Sequence, residues 1–241
     1  MNKFDTVNAL IEQLGLSQEE IVKGWYENSK LSRDFLEKLL SGQKASLTEE
    51  TLKTPKKISA GMFYYAESLV FSKKILGNKQ VSGVVAYVDD NQHGLIVALN
   101  QEKLPWSSQR DKFDLPAKIK GLENTTLIVD ALKNSSKKAE AVEYCATYEQ
   151  NGIQKGQAFL PSLDELKLIE ANFDRINKSL LKICGADLLD KDSYYWSSSE
   201  CKKYPEQAWV FRFAFRETNR NHKDYGKNGF SGFYTRPCIA F

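Results

Sequence analysis

Two histidines and four cysteines are the side chains of this 241-residue sequence best suited to proton transfer or covalent chemistry. A hydrolase or transferase needs a nucleophile beside a base, a group of metal ligands, or paired carboxylates held by regular elements. His93 falls in DDNQHG, a run of turn formers, and His222 in the polar stretch ETNRNHKDYGKNG. Either would have to work from a connecting segment, so the chain is expected not to be an enzyme. Cys145, Cys184, Cys201 and Cys238 are scattered without a CxxC pair, which argues against a zinc site and leaves free thiols as the default. A Cys201 to Cys238 disulfide stays open for a protein that reaches an oxidising compartment. Asp89, Asp90 and Asn91 bring hard oxygens together, but no Glu follows at loop spacing, so they read as turn formers rather than calcium ligands. No metal and no cofactor is expected.

Contact chemistry is concentrated elsewhere. Between residues 200 and 236 stand Lys202, Lys203, Tyr204, Gln207, Arg216, Asn219, Asn221, His222, Lys223, Asp224, Tyr225, Lys227, Asn228, Phe230 and Tyr234. Aromatic side chains of this kind give rigid contact area at low entropy cost, and Asn, Lys and Gln give adaptable hydrogen bonds. Counting the other charges of this window, its formal charge is +4, which mildly favours an acidic ligand, whether glycan or protein. The polar run 217–229 lies between WVFRFAF and the last apolar residues, and it reads as a displayed loop on a rigid base. The plain alternative is a solvated loop with no partner.

These residues need elements to hold them. Residues 1–56 read as a small helical segment: Val7, Leu10, Ile11 and Leu14 share helical spacing, Ser17 with Glu20 forms a capping box, and Phe35, Leu36, Leu39 and Leu40 repeat the pattern. A helix-turn-helix reading of this segment would make the chain a DNA-binding regulator, but its helices are spaced too far apart and it is not strongly basic. From residue 57 to 241 the periodicity shifts towards strands. VVAYV and LIVAL, joined by DDNQHG, predict a hairpin over 83–99 that is buried on both sides. A helix follows, opened by Ser136 and running through KKAEAVEYCATYEQ with Ala141, Val142 and Cys145 on one side and Gly152 just past its end; a second runs from the Ser162 and Glu165 capping box to Gly185, with Leu166, Ile169, Phe173, Ile176 and Leu180 inward. Strands return at YYWSSS, AWVFRFAF and FYTRPCIAF.

The composition is that of a folded domain, with 41% hydrophobic and 27% charged residues. A net charge of +3 is too small to imply nucleic acid. No stretch approaches the ~18 apolar residues of a membrane span, and the first residues lack the apolar core of a secretion signal. The expected location is therefore cytoplasmic or on a phage particle, with surface exposure left open.

The words GVVAYVDDNQHGLIVAL, AVEYC, AFLPSLDELKLI, YYWSSSE, AWVFRF and YTRPCIAF, in that order, resemble bacterial C-type-lectin-like domains. The likeness covers roughly residues 60–241. Nearest are the lectin-like adhesin modules of gut bacteria and the variable proteins of diversity-generating retroelements; formylglycine-generating enzymes share the wider fold. The resemblance implies an α+β C-type-lectin-like fold, with Trp196, Trp209 and Arg236 as scaffold. It also implies that the window between the WSSSE and RP words carries changeable ligand-binding residues. The Glu-Pro-Asn and Trp-Asn-Asp words of calcium-dependent animal lectins are missing, as is the cysteine pattern of the formylglycine oxidases. An alternative role is a structural subunit that uses the same face to form a homo-oligomer.

Overall fold

The structure, a computed structural model, describes residues 57–77, 79–115, 120–227 and 232–241; the helices expected within 1–56 lie outside these. In chain order the strands are β1 (Phe63–Tyr65), β2 (Val70–Ser72), β3 (Gly83–Val88), β4 (Gly94–Ala98) and β5 (Glu102–Leu104). Four helices follow: α1 (Gly121–Leu132), α2 (Glu140–Ala146), α3 (Leu163–Glu170) and α4 (Phe173–Leu180). The chain then returns to strands with β6 (Tyr194–Glu200), β7 (Gln207–Arg212), β8 (Glu217–His222), β9 (Phe233–Thr235) and β10 (Cys238–Ala240). The fold is mixed α+β. Two five-stranded sheets run in the orders β10-β4-β3-β1-β2 and β5-β9-β6-β7-β8.

The hairpin expected over 83–99 is the β3–β4 pair at the centre of the first sheet. Its turn is closed by Asp89, whose Oδ1 accepts from the backbone N–H groups of Asn91 and His93, each at 2.9 Å. Val84, Val85, Ala86, Ile96, Val97 and Ala98 are all fully buried, as a strand covered on both faces requires. On one side Val84, Ala86, Leu95 and Val97 meet Leu166, Ile169, Ile176 and Leu180 of α3 and α4, together with Tyr195 and Phe211 of the second sheet. On the other, Val85 and Ile96 meet Tyr148, Ile153 and Ile239. The far face of the second sheet, through Trp196, Ala208 and Val210, packs on α1 and α2.

The Ser162 and Glu165 capping box is present as expected, with Glu165 Oε2 accepting from Ser162 N at 2.7 Å and also from Gly121 N at 2.9 Å. Space at Gly121 is short: a Cβ there would meet the Leu160 carbonyl oxygen at 2.5 Å. The single helix expected after Ser162 is broken in two at Ala171 and Asn172. The helix expected to run from Ser136 to just before Gly152 is shorter at both ends: it starts at Glu140, after the N-cap Ala139, and stops at Ala146.

Helix α1 has no counterpart in the sequence reading, and its burial explains why. Asn124, Thr125 and Ile128 face inward while Leu122 and Leu127 are exposed, so its hydrophobic pattern points the wrong way. The inward polar atoms are matched: Asn124 Nδ2 donates to Ser198 Oγ at 3.0 Å, and Thr125 Oγ1 accepts from Leu160 N at 3.1 Å. The terminal word FYTRPCIAF is also divided. Its first half is β9 in the second sheet and its last half β10 in the first, with Arg236 and Pro237 making the step.

Candidate binding surface

The displayed-loop expectation for residues 217–229 is corrected by strand β8, which pairs antiparallel with β7 along its whole length, from Gln207 opposite His222 to Arg212 opposite Glu217. It is an edge strand. Polar side chains on both sides suit an edge, because neither face of it has to enter a core. Residues 223–227 turn away from it, and Asn228 and Phe230 lie outside the described residues.

Lys223 is a second correction. Expected as a displayed contact, it is instead fully buried, with its Nζ 4.2 Å from the Trp106 ring centroid and 5.3 Å from that of Phe113. The ammonium donates to the Glu200 carboxylate and the Asp111 carbonyl. Burial pushes its pKa below the ordinary lysine value, and the Glu200 charge opposes that shift. Glu200 also accepts from the Phe113 and Leu115 backbone N–H groups at 2.9 and 3.1 Å. The pair thus fastens segment 106–115 to the end of the sheet, helped by Trp106 Nε1 donating to the Ser197 carbonyl at 2.8 Å.

The remaining window residues divide by exposure. Lys202, Lys203, Arg216, Asn219, Tyr225 and Lys227 are exposed; Tyr204, Gln207, Asn221, His222, Asp224 and Tyr234 are half-buried. Tyr234 is occupied, stacking on Tyr195 at 5.3 Å with Lys103 Nζ 4.5 Å over its ring. Several charges are neutralised: Arg216 by Glu170 and Asp224 by Arg110, at 2.9 and 2.8 Å. Two of the three expected scaffold residues are buried. Trp196 is fully buried and donates from Nε1 to the Leu104 carbonyl at 2.9 Å, and Arg236 is buried with Nη1 3.0 Å from the Asp187 carbonyl; Trp209 is half-buried. Cys201 and Cys238 are buried free thiols, so the disulfide alternative is absent from this structure.

The structure assembles a feature that the sequence reading missed. Phe215, Arg212, Tyr194, Phe233 and Tyr225 touch in series across the second sheet. The Arg212 guanidinium lies 4.7 Å from the Phe215 centroid and 5.0 Å from that of Tyr194. Tyr194 is 5.3 Å from Phe233, and Phe233 stacks on Tyr225 at 4.5 Å. Glu217 pairs with Arg212, and hydrogen bonds from the Tyr194 hydroxyl and the guanidinium hold the Glu217 carboxyl below its usual range. Phe215 is 69% and Tyr225 44% exposed at the two ends. Arg212 and Tyr194 are directly opposite in register and so share a face, which is the signal that could have found the row. Phe215 follows Phe213 in a 3₁₀ turn closed by Arg216 at φ 51°, which no strand period anticipates.

Among the described residues no group of three or more His, Cys, Asp or Glu is placed to hold a metal ion, and no helix is long and apolar enough to cross a membrane. No family model matches the chain, and no curated protein matches it. A solved fimbrial protein from Bacteroides ovatus ATCC 8483 is similar in structure, with a TM-score of 0.60 and 14% sequence identity, over 76% of this chain and 49% of that one. The chain thus spans about half the length of that protein. At this identity the likeness is one of fold.

Proposed function

We propose that this chain is a non-enzymatic ligand-recognition protein in which a C-type-lectin-like scaffold presents the second sheet to a protein or glycan. The observation that carries this reading is the aromatic row from Phe215 to Tyr225, half-open to solvent and fixed by ring and guanidinium contacts. Aromatic side chains exposed at the ends of a row whose middle is locked offer contact area without a large ordering cost. The fold likeness to a fimbrial protein supports a bacterial, adhesin-like setting. The sequence words shared with retroelement variable proteins support a diversified window, and β8 would carry that variation at low cost because Thr218, Asn219 and Arg220 are exposed.

The test is a screen of glycans and bacterial surface proteins against the chain and against the double variant Phe215→Ser/Tyr225→Ser. The expected result is at least one ligand whose binding the variant abolishes while its melting temperature is held. Equal binding by both would refute the assignment. The retroelement part has its own check: a near-copy of the final codons, differing mainly at adenines, beside a reverse-transcriptase frame downstream of the gene.

A second reading, assembly through the same sheet, is favoured by the outer side of β8, which pairs with no strand among the described residues and offers backbone groups to another strand. Light scattering after size exclusion separates the two, because assembly predicts an oligomer.

A further inference from the structure

We propose that the opposite face of the β7–β8 pair, around Tyr204, is a binding site for an acidic saccharide bearing sulfate or carboxylate groups. Arg220 on β8 stands directly opposite Trp209 on β7, whereas the aromatic row uses Arg212 and Glu217. Positions 209 and 212 differ by an odd number, and alternation along a strand therefore puts the two sets on different faces. The Arg220 guanidinium lies 4.8 Å from the Tyr204 ring centroid, and Lys203 Nζ lies 5.4 Å from it. Lys202 is exposed beside them in the turn that joins β6 to β7.

Carboxylate pairing separates this patch from most of the neighbouring cations. Arg212, Arg216 and Lys223 have carboxylate partners, as does Arg110 beside them. Lys202, Lys203 and Arg220 have none among the described residues. A ring under a cation orients it without neutralising it, so two of the three positive groups are pre-placed but still electrostatically unspent. On the next rung of the same face stand two further half-buried polar side chains, Gln207 and His222, directly opposite each other.

Size decides between a saccharide and a protein. Strands lie about 4.8 Å apart and advance about 3.4 Å per residue, so two strands and a turn give a patch roughly 10 by 15 Å. That is far below the roughly 800 Å² per partner of a stable protein interface. It suits one to three sugar rings, whose C–H faces pack on the half-buried Trp209 while their acidic groups meet the cations.

The experiment titrates the full chain with a heparin-derived tetrasaccharide, tetragalacturonate, neutral cellotetraose and a glutamate-rich peptide of matched charge. Binding of either acidic saccharide, weakened by salt and at least about tenfold tighter than cellotetraose, is the expected result. The heparin fragment alone would assign sulfate as the recognised group; binding of both would assign carboxylate as sufficient. Lys203→Gln/Arg220→Gln should lose about tenfold or more at an unchanged melting temperature. Phe215→Ser/Tyr225→Ser should keep acidic-saccharide binding, so that failure of the aromatic row and failure of this site are told apart. No binding of either acidic saccharide, equal binding by the Gln variant, or a peptide that binds as tightly would overturn the proposal.

Discussion

Two of the antiparallel hairpins, β3–β4 and β7–β8, make opposite use of similar backbones. In β3–β4, at the centre of the first sheet, almost every side chain is in the core, and both faces are covered. In β7–β8, at the edge of the second, β7 supplies buried Ala208, Val210 and Phe211, while β8 supplies no fully buried residue at all. Hydrogen-bond ladders of the same kind therefore support different economies of side chains. The first hairpin can vary only at the expense of stability, and the second can change its outer strand almost freely. The proposed recognition surface uses the second.

The widest effect should fall on both hairpins alike. Burial raises the pKa of Tyr65, Tyr148 and Tyr195, which line both halves of the fold. A group whose folded pKa is raised contributes stability below its unfolded pKa and loses it as pH rises further. Stability should thus fall as pH climbs past about 10, the ordinary tyrosine value, with tyrosinate absorbance appearing together with loss of circular dichroism. Tyrosinate that forms fully before unfolding would contradict that burial.

Lys223→Met is the sharpest challenge to the contrast, because it asks for a core effect two residues from an exposed one. It should cost about 3–5 kcal/mol by leaving Glu200 buried and uncompensated, and adding Glu200→Gln should recover part of the loss in urea denaturation. Ile96→Ala should cost about 2–5 kcal/mol as an ordinary cavity in the first hairpin. Thr218→Ser on β8 should change stability by no more than about 0.5 kcal/mol. A Thr218 effect as large as that at Ile96 would break the comparison.

The same contrast governs what was legible in the sequence. The β3–β4 hairpin was readable because continuous apolar runs flank a cluster of turn residues. The capping box was readable because its two partners are three residues apart and its chemistry is local. Strand β8 was not, because an edge strand free on both faces carries no alternation and ETNRNH has the composition of a loop. Lys223 looked exposed because lysine usually is, and its carboxylate partner stands 23 residues earlier. Helix α1 was hidden by a buried face built on Asn124 and Thr125, whose partners Ser198 and Leu160 are far along the chain. Of the proposed binding surface, Tyr225 was named from its type, whereas Phe215, Arg212, Tyr194 and Phe233 become neighbours only through strand register.

The placement of β10 has a consequence for the order of folding. It pairs with β4, so Cys238 meets Val97 across some 140 residues of intervening chain. During synthesis the outer side of β4 stays without this partner until residues 238–240 have left the ribosome. Closing so long a loop is entropically slow, and an apolar strand waiting unpaired is open to wrong partners. The first sheet, whose central strands are covered on both faces, is thus completed only when β10 arrives, long after its other strands have been made.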